Sequence, residues 1–244
     1  MRIGLIADIH GNAFALREVL GALDRVGVDA IYCLGDIATP GPWPVEVMSM
    51  LAEREIPSVL GNTDQWLLAG AGEVVSDSPA MDEIAHWATG MLAPMVIEEV
   101  ASLPMHRMLD IGWGVRAALF HGSPTSTEQV FSELTPGADI AWALASLGAT
   151  VGIGGHTHVQ MVRDLGSGLM VNPGSVGLGG TGPGTWDLPI PEPVATADFA
   201  VLRNEGKVVD CELYHLDLDV PRMLREAAAT EMPYLDWWSS LWRP

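Results

Sequence analysis

Lysine is almost missing from this chain: Lys207 is the single example among 12 basic residues, which face 31 acidic ones for a formal charge of -19. Bulk affinity for DNA or RNA comes mostly from cationic side chains that displace phosphate counterions, so nucleic acid is excluded as a bulk partner. A small anion beside a bound metal is not excluded. Cysteine is nearly as scarce. Cys33 and Cys211 lie in apolar segments without CxxC spacing, which points to buried free thiols rather than a disulfide or zinc knuckle. No apolar run reaches the roughly 18 to 20 residues that span a bilayer. Asp8 and His10 interrupt the first apolar stretch before any cleavage-like site. The expectation is a soluble, cytoplasmic protein that does not enter a membrane.

What is present is an ordinary globular composition, 48% hydrophobic and 18% charged, over a length that suits one large domain. The apolar run 2–7 predicts a buried strand that stops at Asp8. Apolar residues then recur at helical spacing (Leu16, Val19, Leu20, Leu23) until Gly27 closes the helix. The same unit repeats twice. A strand over 30–34 ends at Gly35-Asp36, a helix covers 44–54, and a strand over 57–60 ends at Gly61-Asn62. Further along, the pattern predicts helices over 79–103 with a break near Pro94, over 137–147 and near 220–229. It predicts strands within 106–120, at 150–153, 159–164 and 168–171, and a hairpin over 197–203 and 207–213.

Each of these early strands delivers a polar residue at its carboxyl end, the edge where open α/β sheets bind ligands. Collected along the chain, these residues are Asp8, His10, Asp36, Asn62, His121, His156 and His158. They offer oxygen and nitrogen without thiolate, a donor set suited to borderline divalent metals such as Mn, Fe, Ni, Co or Zn.

Read in order, D-x-H at Asp8 and His10, G-D at Asp36, G-N-x-D at Asn62 and Asp64, H-G at His121 and G-H-x-H at His156 and His158 resemble the calcineurin-like metallophosphoesterase superfamily. The stretches DIHGN, HGSP, GHTH and NPGSVG are similar to its small bacterial and archaeal phosphodiesterase-like branch, over about residues 1–215. The resemblance implies an α/β fold, a four-layer α/β/β/α sandwich of two mixed β-sheets flanked by helices, as a single metallophosphoesterase domain over 1–244. It also implies two divalent metal ions. Asp8, His10, Asp36 and His158 would hold one, and Asp36, Asn62, His121 and His156 the other, with Asp36 as the bridge. The implied chemistry is hydrolysis of a small phosphoester by a metal-bridging hydroxide, so that no side-chain nucleophile is required. Asn12, Thr63 and Thr157, beside these blocks, are the expected substrate contacts.

Many superfamily members carry histidine where this chain has Thr63. Threonine cannot be a cationic donor, so general-acid help of about 10²- to 10⁴-fold is missing at that position. The phosphodiesterase-like branch commonly lacks the histidine as well. The complete donor set therefore argues for an active hydrolase of phosphodiesters or activated aryl esters, with a small or nucleotide-like substrate. The alternatives are a phosphomonoester or protein phosphatase, and a noncatalytic metal-binding interaction scaffold. After NPGSVG, residues 177–194 are rich in Gly and Pro, contain no basic residue and are expected to form a lid, with Trp186 either anchoring it or stacking on a base. The Trp-rich tail over 220–244 is expected to pack on its own domain, with a homodimer contact or a flap as alternatives. His86, His106 and His215 match no block and are read as structural. Asn172 and Ser175 either build a turn or support the site.

Overall fold

The computed structural model describes residues 1–69, 78–181, 192–206 and 208–242. The first strand, β1 (Arg2–Ile6), runs into the helix α1 (Ala13–Val26) through a loop whose last residue, Asn12, caps the helix by accepting the N–H of Ala15. Gly27, at φ 73°, closes α1 in the left-handed conformation and leads to β2 (Ala30–Cys33), which pairs parallel with β1. The helix α2 (Pro44–Glu53) follows, with proline in its first turn where the missing N–H costs nothing.

The expected strand over 57–60 is reduced to a single bridge, Cys33 to Ser58. Pro57 has no N–H to give, and the N–H of Leu60 leaves the sheet to bond Pro104 O at 2.9 Å. Directly after it comes a short helix that apolar periodicity does not announce, α3 (Asn62–Leu68). The break at Pro94 is as expected and separates α4 (Pro79–Met91) from α5 (Pro94–Ala101).

The second sheet is built from β3 (His106–Asp110) and β4 (Arg116–Phe120). The helix α6 (Gly137–Ser146) precedes β5 (Val151–Ile153), β6 (Met161–Asp164) and β7 (Leu169–Asn172). Its order is β3-β4-β5-β7-β6, with β4, β5 and β7 parallel and both edges antiparallel. Two short strands, β8 (Gly180–Thr181) and β9 (Glu192–Pro193), pair with each other. A long hairpin, β10 (Thr196–Asn204) and β11 (Val209–Asp217), returns to the first sheet and gives the order β11-β10-β1-β2. The helices α7 (Val220–Ala227) and α8 (Leu235–Ser240) end the described chain.

Period-two alternation decides how these sheets stack. Ile3 and Leu5 of β1 and Ala200 and Leu202 of β10 point to one face, where they meet Ala117, Leu119, Val151, Ile153 and Val171 of the second sheet. Ile6, Phe199 and Val201 point the other way, into a core shared with α1, α2, α7 and α8. Ala118, Phe120 and Met170 likewise turn outward onto Ile140 and Leu144 of α6. The fold is therefore a four-layer α/β/β/α sandwich of two mixed sheets flanked by helices. The tail packs on the body, as expected: Met223, Trp238 and Trp242 belong to the same core as α1. Trp186 and most of the expected lid, residues 182–191, lie outside the described residues.

Candidate metal centre

The carboxyl ends of β1, β2, β4 and β5 meet along one rim of the sandwich, and six of the seven expected donors come from the loops there. Asp8 follows β1, Asp36 follows β2, His121 follows β4 immediately, and His156 and His158 follow β5. Asn62 opens α3. Five of the seven, Asp8 (φ 53°), His10 (φ 48°), Asp36 (φ 55°), His156 (φ 71°) and His158 (φ 59°), sit in the left-handed region. Each such residue costs roughly 1–2 kcal/mol, so the surrounding loops must hold it in place. They do so through a ladder of backbone bonds: Asp8 N–H to Gly35 O at 3.0 Å, His10 N–H to Asp36 O at 2.9 Å and Gly11 N–H to Ile37 O at 2.8 Å.

Two tight clusters of ligand atoms result, Asp8 with His10 and His158, and Asp8 with Asp36 and His121, each with its atoms within 4.8 Å of one another. Asp36 reaches both ways: Oδ2 lies 3.7 Å from His10 Nε2 and Oδ1 lies 3.4 Å from His121 Nε2. Asn62 Oδ1 lies 2.9 Å from the same His121 nitrogen. The His156 ring stands beside His121, their centroids 5.0 Å apart.

The donors fit a divalent metal by tautomer as well as by position. A carbonyl can only accept, so His10 donates through Nδ1 to Thr39 O, and His121 through Nδ1 to Leu34 O at 2.7 Å. Each thereby presents an Nε2 lone pair to the cluster, the arrangement that orients a histidine ligand. His156 is reversed: it donates through Nε2 to Glu128 O at 3.2 Å, which leaves Nδ1 as its ligand atom. His10 Nε2 and His158 Nε2 lie 2.9 Å apart, so that without a metal the His158 N–H donates to the His10 lone pair.

The electrostatics agree. Burial works to raise the pKa of Asp36, but the facing His121 and His10 hold it well below the usual carboxylate range. Burial would lower His121, but Asp36 and Asp8 raise it to about 10. Burial and then the charge on His121 lower His156 to about 4. Two buried carboxylates here call for positive charge, and in the metal-free chain a proton on His121 supplies part of it.

Of the expected substrate contacts, Asn12 is committed elsewhere. Its side chain is fully buried, caps α1 and donates to Gly177 O at 3.2 Å. Thr157 is buried too, and its hydroxyl accepts from Asn172 Nδ2 at 3.0 Å. Thr63 lines the cleft, with its hydroxyl donating to Thr39 O at 3.2 Å. Asn172 and Ser175 support the site: Asn172 Nδ2 donates to Gly155 O at 2.7 Å, and Ser175 Oγ donates to Asp8 O at 2.7 Å. His106 and His215 are structural, bonded to Pro124 O and Asp198 Oδ1. The residue that periodicity and motif order left without a role is Asp64. Its buried carboxylate accepts the N–H groups of Asp36, Ile37 and Gly61 at 2.9, 2.8 and 2.8 Å.

The centre opens into a cleft of about 490 Å³ with a polar end at His10, Asp36, Asn62, His156 and His158. Its other walls include Trp66, Met81, Leu178, Trp237 and Leu241, and no Lys or Arg is among its described lining residues.

Residues 1–186 match the model of the calcineurin-like phosphoesterase superfamily domain, and the chain belongs to that superfamily. It is 27% identical over 176 residues to uncharacterized protein MJ0912 of Methanocaldococcus jannaschii, a match covering 72% of this chain and 70% of the relative. A crystal structure of a metallophosphoesterase from Sphaerobacter thermophilus is 25% identical, with a TM-score of 0.67 over 95% of this chain and 96% of that one. Hypothetical protein PH1004 from Pyrococcus horikoshii shares the fold at 18% identity, with a TM-score of 0.75 over 96% of this chain and 94% of its own. No helix among the described residues is long and apolar enough to cross a membrane.

Proposed function

We propose that this protein is a cytoplasmic, dinuclear metal-dependent phosphoesterase that hydrolyses phosphodiester bonds of a small or nucleotide-like substrate. The observation that carries the proposal is the convergence of Asp8, His10, Asp36, His121 and His158 at the rim of the two sheets, with Asn62 and His156 beside His121 and with His10 and His121 turned to present Nε2. Asp8, His10, Asp36 and His158 would hold one metal, and Asp36, Asn62, His121 and His156 the second. Divalent metals held there supply Lewis acidity toward a phosphoryl group and toward water.

The remaining residues favour a diester. Thr63 offers no proton to a leaving group, so an ester with a good leaving group is handled best. With no Lys or Arg among the described residues of the cleft, a singly charged diester suits it better than a doubly charged monoester. The test is hydrolysis of bis-p-nitrophenyl phosphate beside p-nitrophenyl phosphate by protein stripped of metal and reloaded with Mn, Ni or Zn. Faster, metal-dependent cleavage of the diester is expected. A higher kcat/KM for the monoester would reverse the preference, and two bound metals without turnover of either would favour a binding scaffold.

A further inference from the structure

The apolar half of the cleft has no part in holding metal or phosphorus, yet it is built with care. Successive residues of a helix point about 100° apart, so α8 and the two residues that follow it present two separate stripes. Trp238 and Trp242, four residues apart, are 0% and 5% exposed and pack into the core. Trp238 meets Trp43 edge-on, with centroids 5.9 Å apart at 89°, and lies 5.7 Å from Trp242. Trp237 and Leu241, also four residues apart, form the neighbouring stripe. They are only partly buried and line the cleft with Trp66 of α3 and Met81 of α4. The start of α8 is tied to the same wall, since the Tyr234 hydroxyl donates to Glu83 Oε1 of α4 at 3.0 Å. Two buried tryptophans thus fix the helix, and the adjacent pair faces the cleft that the candidate metal donors also line.

A ligand that fills this space has an anionic phosphoryl group at one end and a flat, uncharged, apolar group at the other. We infer that Trp237, assisted by Leu241, is a specificity-determining residue that receives the aryl or nucleobase moiety of the phosphoester. The inference rests on the phosphoesterase reading above and assigns the segment after β11 a part in substrate choice, beyond the 1–186 region that the superfamily model covers.

Binding of two nonhydrolysable probes tests it without turnover. Phenylphosphonate and methylphosphonate are titrated calorimetrically into Mn-loaded protein and into the Trp237→Ala, Trp237→Phe and Leu241→Ala variants. Wild type is expected to prefer the phenyl probe by roughly tenfold, the size of one aromatic stacking contact. In Trp237→Ala the preference should fall to about twofold or less and return in Trp237→Phe. If Trp237→Ala does not fold, Leu241→Ala carries the comparison, with an expected loss of about threefold in preference. Equal binding of the two probes to wild type, or a full preference surviving in a folded alanine variant, overturns the inference and leaves the phosphoesterase reading standing. Binding of neither probe to protein that holds its metal also overturns the inference, while the phosphoesterase reading stands or falls on hydrolysis of bis-p-nitrophenyl phosphate.

Discussion

The carboxylate of Asp64 accepts the backbone N–H of Asp36 at 2.9 Å, while the Asp64 side chain itself is fully buried. Asp36, whose carboxylate faces both clusters, is thus held by its main chain from a residue that belongs to neither. Asp64→Asn sets an amide NH2 against at least one of three backbone donors. It should cost about 1–3 kcal/mol of stability and weaken metal binding by roughly 10- to 100-fold. Chemical denaturation and metal titration measure the two effects separately.

Asp36→Asn removes the carboxylate charge that faces His10 on one side and His121 on the other, and should lower metal-dependent turnover by at least about a hundredfold. Thr63→Ala should be mild, within about threefold. The interaction that matters at position 63 is the backbone N–H donated to Asp36 Oδ1 at 2.9 Å, which alanine keeps. The lost hydroxyl bond to Thr39 O costs about 1 kcal/mol of stability. Steady-state kinetics on the two variants check this, and equally severe losses would show that the hydroxyl takes part in the reaction.

Gly61 lies so close to Asp36 that a Cβ there would overlap Asp36 Oδ1 and N. Gly61→Ala should therefore destabilise the fold by about 1–3 kcal/mol and reduce bound metal as well. Gly90, near the end of α4, has nothing within 4 Å of an added Cβ. Gly90→Ala should stabilise by up to about 1 kcal/mol through helix propensity alone. Thermal melts with metal analysis distinguish the pair.

Asp198 is 2% exposed and bonded to His215 Nδ1 at 2.9 Å. Burial raises its pKa, and the bond to His215 only partly offsets this. A carboxyl whose pKa is higher folded than unfolded binds its proton more tightly in the folded state. Its burial therefore costs nothing at acid pH, and stability is lost as pH rises from the ordinary carboxylate range through the raised value. Asp198→Asn, which keeps an acceptor but not the charge, should flatten that part of the stability profile. Denaturation midpoints across mildly acidic pH are the readout.

Most of the sandwich can be read in the chain because β1, buried on both faces, is an unbroken apolar run, and α1, buried on one face, repeats its apolar residues at helix spacing, as at Leu16 and Leu23. The candidate metal donors stand out in the chain for a different reason: they follow strands, and motif order groups residues that the fold brings to one rim. Asn12 shows the opposite case. An asparagine one residue before a helical pattern is first of all an N-cap, and proximity to Asp8 and His10 masked that ordinary signal. Asp64 carries no periodic signal at all. Its bond to Gly61 N–H, three residues back, is the local one of an acidic residue in the first turn of a helix, but its bonds to main-chain groups 27 and 28 residues away are long-range, and spacing along the sequence does not encode those.

The left-handed backbone at Asp8, His10, Asp36, His156 and His158 also limits what this centre can become. Apart from glycine, that conformation favours asparagine, aspartate and histidine. A histidine-to-cysteine exchange meant to recruit a softer metal would meet an unfavourable backbone at His10, His156 or His158 before coordination came into play. His121 and Asn62 lie outside the left-handed region, so retooling by single steps is least obstructed there. The loops thereby act as a filter on mutation, passing few replacements at five donors and many more at two.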